Sequence, residues 1–138
     1  MRTKNSSAGA DYRSNFKARG LGAFYDDGEW LASVELTSSD RYYSDPPPLD
    51  VPAKAYSAGF GRRFGKWTPF LAIHSYQEKS SNHAEYDPVG NRRTSLTLRY
   101  DLDANTAIKL QGDRNRDSRM NYGGDANVVR IAYDRMFF

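Results

Sequence analysis

The chain has 138 residues, a formal net charge of +3, 38% hydrophobic and 14% aromatic residues, and no cysteine. That is one domain or a piece of one, without a disulfide framework, a thiolate metal site or a cysteine nucleophile, and its 10 Tyr and 7 Phe argue against disorder. No run of 18 apolar residues predicts a transmembrane helix, and charges of both signs are too evenly spread for the basic stripe of a nucleic-acid binder.

The start, Met1 to Ser7, is charged but leads into no apolar stretch, so it does not read as a secretory signal peptide. Either a signal has been removed or the chain begins partway through a longer product. From there the apolar residues alternate instead of recurring at helical spacing, which predicts strands. Seven segments follow in order: 16–25, 29–38, 53–64, 67–78, 92–102, 106–113 and 127–138. In the second, Trp30, Ala32, Val34 and Leu36 alternate with Leu31, Ser33, Glu35 and Thr37. The clearest is the fifth, where Leu96, Leu98, Tyr100 and Leu102 alternate with Ser95, Thr97, Arg99 and Asp101.

Connections between these segments alternate in length. Asp26-Asp27-Gly28, Gly65-Lys66 and Asp103-Ala104-Asn105 are tight turns. Ser39 to Pro52, Lys79 to Asn91 and Arg114 to Ala126 are long and polar. The turns recur at roughly 39 residues, one hairpin and one long loop per period. An antiparallel meander with short turns at one end and long loops at the other is the pattern of an outer-membrane β-barrel. In such a wall one face meets lipid and the other a watery lumen, so a polar composition needs no separate core. Aromatics cluster near both ends. Tyr25, Trp30, Phe64, Trp67 and Tyr100 lie by the short turns, and Tyr42, Tyr43, Tyr56, Tyr76, Tyr86 and Tyr122 toward the long loops. Tyr and Trp favour membrane–water interfaces because the ring is apolar and the tip hydrogen-bonds.

Three stretches carry a resemblance: Ala23-Phe24-Tyr25-Asp26-Asp27-Gly28-Glu29-Trp30, Gly65-Lys66-Trp67-Thr68-Pro69-Phe70, and Leu98 to Leu102 followed by Ala107-Ile108-Lys109-Leu110-Gln111. In this order and spacing the chain resembles the C-terminal half of the proteobacterial outer-membrane general porins, over roughly residues 12–138. The terminal Phe138 resembles the aromatic end that the insertion machinery reads in that family. The resemblance implies an all-β antiparallel meander of about seven strands, the C-terminal portion of a transmembrane β-barrel. Residues 1–15 would be a loop or strand remnant and 16–138 a partial barrel domain. In the last strand Val129, Ile131 and Tyr133 share one parity and Met136 and Phe138 the other. Either a β-bulge near Asp134-Arg135 restores the phase or Arg135 faces lipid near the interface.

The expected function is passive diffusion of small hydrophilic solutes or ions through a water-filled barrel in the bacterial outer membrane, without enzymatic activity, cofactor or metal. Expected partners are outer-membrane lipid and lipopolysaccharide and the permeating solutes, not nucleic acid; the resemblance implies a homotrimer for the full-length protein. By parity the lumen takes Glu35, Arg63, Arg93, Arg99, Asp101, Lys109, Asp113, Arg130 and Asp134, five basic against four acidic residues. Arg99 and Lys109, on adjacent strands, form the expected positive patch. Tyr25, Trp30, Phe64, Trp67, Tyr100 and Phe138 are the expected interface aromatics.

Other chemistries find weaker signals. His74 and Ser75 point to opposite faces of one strand, so a hydrolase reading from His74, Ser75 and Glu78 needs another serine across the sheet. Asp113, Asp117 and Asp125, or Asp45 and Asp50, lack the ligand spacing of a calcium loop. Arg114, Arg116 and Arg119 beside Tyr122 suit lipopolysaccharide or solvent, and Pro46-Pro47-Pro48 stiffens its loop as polyproline II. Two alternatives remain open: a soluble all-β binding module, and a complete eight-stranded structural barrel with an extra strand from residues 4–15.

Overall fold

The computed structural model describes residues 2–7, 10–44, 48–118 and 124–137. They form one antiparallel sheet whose spatial order is the chain order. Its strands are β1 (Arg2–Ser7), β2 (Ala10–Asp26), β3 (Trp30–Tyr43), β4 (Leu49–Arg62), β5 (Trp67–Glu78), β6 (Gly90–Asp103), β7 (Thr106–Asp117) and β8 (Ala126–Arg135). The seven long strands are those expected, in the expected meander. No helix occurs among the described residues. β1 and β8 pair with β2 and β7 only, so the sheet is open and not closed into a barrel.

Several boundaries differ from expectation. β6 starts at Gly90, and β7 runs on to Asp117, so the connection expected over 114–126 shrinks to 118–125, of which 119–123 lie outside the described residues. Three further differences are instructive. The six-residue β1 pairs with the start of β2 from Arg2↔Asn15 to Ser7↔Ala10, so the first fifteen residues supply strand. The Ser7↔Ala10 pair lies at the long-loop end of the sheet, and the alternation of connection lengths therefore holds only from β2 onward. Next, β3 and β4 stay in register out to Tyr43↔Leu49. The connection expected over 39–52 shrinks to 44–48, of which 45–47 lie outside the described residues. Residues 39–41, Ser-Asp-Arg, look loop-like in sequence because both faces are polar there, yet the backbone ladder does not depend on side-chain polarity. Finally, β7 and β8 pair without a register shift through Thr106↔Arg135. No bulge corrects the phase of the last strand: it ends at Arg135, whose guanidinium lies 5.2 Å over the Phe137 ring. A register shift occurs instead between Asp101 and Asp103 on β6.

The turns have local causes. Asp27 Oδ1 accepts the backbone N–H groups of Glu29 and Trp30, at 3.0 and 2.6 Å, and Asp26 Oδ1 accepts that of Gly28 at 2.9 Å. Gly28 supplies the positive φ of 91° that this side-chain-closed turn requires.

Packing is unlike that of a layered domain. Buried apolar residues are confined to Leu31, Val51, Ala53 and Ala107, and no large side chain is fully buried among the described residues. The accessible surface is 10365 Å², against about 7,300 Å² expected for a compact monomer of this mass. A single sheet with no second layer of strands or helices among the described residues accounts for the excess.

Candidate functional site

Residues directly opposite across a ladder share a face. One face therefore carries Tyr25, Ala32, Phe60, Leu71 and Leu96 in a single row, with Trp30, Val34, Leu36, Tyr56, Ile73, Leu98, Leu110, Ile131 and Tyr133 around it. The other carries Asp26, Glu35, Ser57, His74, Arg93, Thr97, Arg99, Gln111, Asp113 and Arg130. On the inner strands exposure runs opposite to that of a soluble sheet, whereas on β2 both faces are open and Phe16 and Phe24 stand exposed on the polar side. On β6, Leu96 is 59% exposed while its neighbour Ser95 is 4% exposed, and Arg93, Thr97 and Arg99 are half-buried between exposed Arg92, Leu96 and Leu98. Side chains crowd where a sheet is concave and spread where it is convex. The polar face is thus the concave one and the apolar face the convex one.

The apolar band crosses the strands obliquely. Leu21, Leu36, Tyr56, Ser75, Arg92 and Arg116 form one hydrogen-bonded row. The band reaches that row on β2–β4, stops one side-chain pair lower at Ile73 on β5, at Leu96 on β6 and at Leu110 on β7. From Arg116 to Leu110 is six residues, about 20 Å, across five strand spacings of about 24 Å in total. The band edge, drawn to Leu110 or to Val129 on β8, is inclined by roughly 25–40°, close to the strand tilt of membrane barrels.

All nine charged candidates lie on the concave side. Glu35, Arg93, Arg99, Asp101, Lys109, Asp113, Arg130 and Asp134 are on its strands, and Arg63, just past β4, reaches Asp26 on β2 at 2.5 Å. Most are neutralised. Arg99 Nε donates to Asp101 at 2.7 Å, and Lys109 Nζ lies 2.6 Å from Asp134. Arg130 lies 3.2 Å from Asp113 Oδ2, without the alignment of a hydrogen bond. Arg99 and Lys109 do face each other across the β6–β7 ladder, but each holds its own carboxylate, so they do not form a free positive patch. Asp26, absent from the sequence-based set, balances its one-charge basic excess. Its place at the strand end, where parity runs into the turn, hid it.

The aromatics divide. Tyr25, Trp30, Trp67 and Tyr100 gather on the convex face at the turn end, with Trp67 and Tyr100 centroids 4.5 Å apart and Trp30 stacked on Phe60 at 5.2 Å. Phe64 is exposed beside Trp67, and Arg62 lies over both Trp30 and Phe64. Phe138 and Tyr122 lie outside the described residues. At the loop end Tyr42 and Tyr56 are convex, but Tyr43 and Tyr76 are concave, so no single belt forms there.

Tyr76 belongs to a clamp that the sequence did not reveal. Glu78 accepts hydrogen bonds from the Tyr76 hydroxyl at 2.6 Å, the Tyr86 hydroxyl at 2.7 Å and the Val89 N–H at 2.9 Å. Lys79 and Ser81 donate to the carbonyls of Pro52 and Asp50. The 79–89 connection is thereby folded against the concave side. Burial, then the bond to Glu78, pushes the Tyr86 hydroxyl up to about 12.

Among the described residues His74, Ser75 and Glu78 are not brought into a triad's arrangement. Ser57 stands directly opposite His74, supplying the serine across the sheet, and Glu35 stands opposite Ser57. The acid is therefore next to the serine rather than the histidine, the reverse of a triad's order, and no hydrogen bond joins Ser57 to His74 among the described residues. Ser75 lies on the convex face. No group of three or more His, Cys, Asp or Glu positioned to hold a metal occurs among the described residues.

Neither the protein-family models nor the curated proteins give a match to this chain.

Proposed function

We propose that this chain is part of the wall of a water-filled β-barrel in a bacterial outer membrane, of the general-porin kind, through which small hydrophilic solutes or ions diffuse. The observation that carries this reading is the inverted exposure of the sheet: apolar side chains on the open convex face, paired charges on the sheltered concave one. A soluble module buries its apolar face, since a contiguous patch beyond a few hundred Å² promotes association. A bilayer is the medium in which a closed barrel with this arrangement of faces is stable. The oblique apolar band and the Trp30, Trp67 and Tyr100 cluster at one of its edges support the same placement. The concave wall does ion-pair chemistry and no catalysis on this reading, and the two open edges are completed by further strands.

The absence of cysteine makes the test direct. Single cysteines at Leu98 and Thr97 are introduced into the chain refolded in lipid vesicles. Thr97→Cys should react with a membrane-impermeant, water-soluble thiol reagent, while Leu98→Cys should react only with a lipid-soluble maleimide. Equal reaction of both positions with the water-soluble reagent would refute the membrane placement.

A further inference from the structure

Most of the nine charged candidates on the concave wall are neutralised, and the two that are not share one row. Arg63, Arg99, Lys109 and Arg130 each hold a carboxylate. Among the described residues Glu35 and Arg93 are the two charged candidates in no ion pair. They are connected by the ladder itself: Glu35 stands opposite Ser57, Ser57 opposite His74, and His74 opposite Arg93. All four line one groove of about 410 Å³, joined by Tyr76 and Asn91. Arg93 Nε has no hydrogen-bond partner among the described residues, and the rest of its guanidinium fork is of the shape that matches a carboxylate.

We propose that this row binds small zwitterionic solutes, amino acids or dipeptides, with the ammonium group at Glu35 and the carboxylate at Arg93. This rests on the reading that the concave face lines water. Three strand spacings separate the two charges, about 14 Å between backbones. The reach of a glutamate and an arginine side chain from the two ends leaves a gap that the proposal assigns to a dipeptide-sized solute. Ser57, His74 and Asn91 offer neutral hydrogen-bonding groups along the way. A simple anion satisfies only the Arg93 end, and a simple cation only the Glu35 end. At the other seven candidates an entering charge must compete with an ion pair already formed.

The test uses the chain refolded in detergent micelles and titrated calorimetrically with glycylglycine, N-acetylglycylglycine and glycylglycine amide. Glycylglycine should bind at least tenfold more tightly than either blocked form. Glu35→Gln and Arg93→Gln should each remove that preference, and the double exchange Glu35→Arg with Arg93→Glu should restore it by reversing the ligand. Blocked dipeptides binding as well as glycylglycine, or no binding by any of the three, overturns the proposal. If cysteines at Thr97 and Leu98 keep their water–lipid contrast in that case, the barrel-wall reading stands without the site. If that contrast is missing, the wall reading falls and takes the site with it.

Discussion

The two faces of β6 belong to the same fourteen residues, yet they meet different surroundings. On the convex side Leu96 and Leu98 touch few neighbours and stay exposed. On the concave side Ser95, Thr97 and Arg99 are sheltered by adjoining strands, with Thr97 bonded to Gln111 and Arg99 to Asp101. The contrast teaches where stability comes from in a single-layer sheet. Cross-strand polar pairs and the backbone ladder hold the concave side, and the convex side depends on the medium outside.

The largest expected effect breaks the convex side. Leu98→Arg should hinder insertion into lipid vesicles by about 2–4 kcal/mol if it sits near the bilayer midplane, whereas Thr97→Arg should insert normally. Protease protection after refolding measures both, and equal tolerance would erase the distinction between the faces.

Glycines sharpen the contrast next. A Cβ on concave Gly61 would stand 2.6 Å from the Phe70 ring and 2.7 Å from the Pro69 carbonyl, while one on convex Gly112 meets nothing within 4 Å. The Phe70 ring can swing, but the carbonyl is backbone. Gly61→Ala should therefore cost about 1–3 kcal/mol in a urea titration of the vesicle-bound chain. Gly112→Ala should fall within about 0.5 kcal/mol of the parent.

Ion pairs come third. Arg130→Gln removes the cation facing the buried Asp113 side chain. Because Arg130 is itself half-exposed, the loss should be about 1 kcal/mol in the same titration. Arg114→Gln, on the polar margin of the convex face, should change nothing measurable.

The smallest effect concerns the clamp over the concave side. The neutral Tyr86 hydroxyl is favoured by docking, since its folded value is raised to about 12 from the ordinary tyrosine value of 10.0. Its contribution is therefore complete below about pH 10 and lost as pH climbs through 12. Amide exchange at Val89 should accelerate in that window beyond the intrinsic base-catalysed rate. Tyr86→Phe should show the faster exchange already at pH 8.

Strands and faces were legible because a period of two marks them directly, as at Leu96–Leu98–Tyr100. The placement of all nine charged candidates on one side follows from that parity. β1 escaped because residues 5–10, Asn-Ser-Ser-Ala-Gly-Ala, carry neither alternation nor bulk. The outer parts of β3 and β4 escaped because Asp40 and Arg41 are polar on both faces beyond the apolar band. Neutralisation of Arg99 and Lys109 depends on side-chain geometry that parity leaves open. The Glu78 clamp requires a loop to fold back across eight residues to Tyr86, and Phe70 over Gly59 and Gly61 requires the β4–β5 register; no local pattern encodes either.

The open sheet also carries a rule of arithmetic. Along an antiparallel meander each strand reverses the one before it, so β1 and β8 run in opposite directions. Any chain segment or second copy that joins one edge to the other must insert an even number of strands, or leave somewhere a parallel pair. Removing β1 alone would reverse the requirement to an odd number. The six short residues of Arg2–Ser7 thus decide which partners are able to complete the ring.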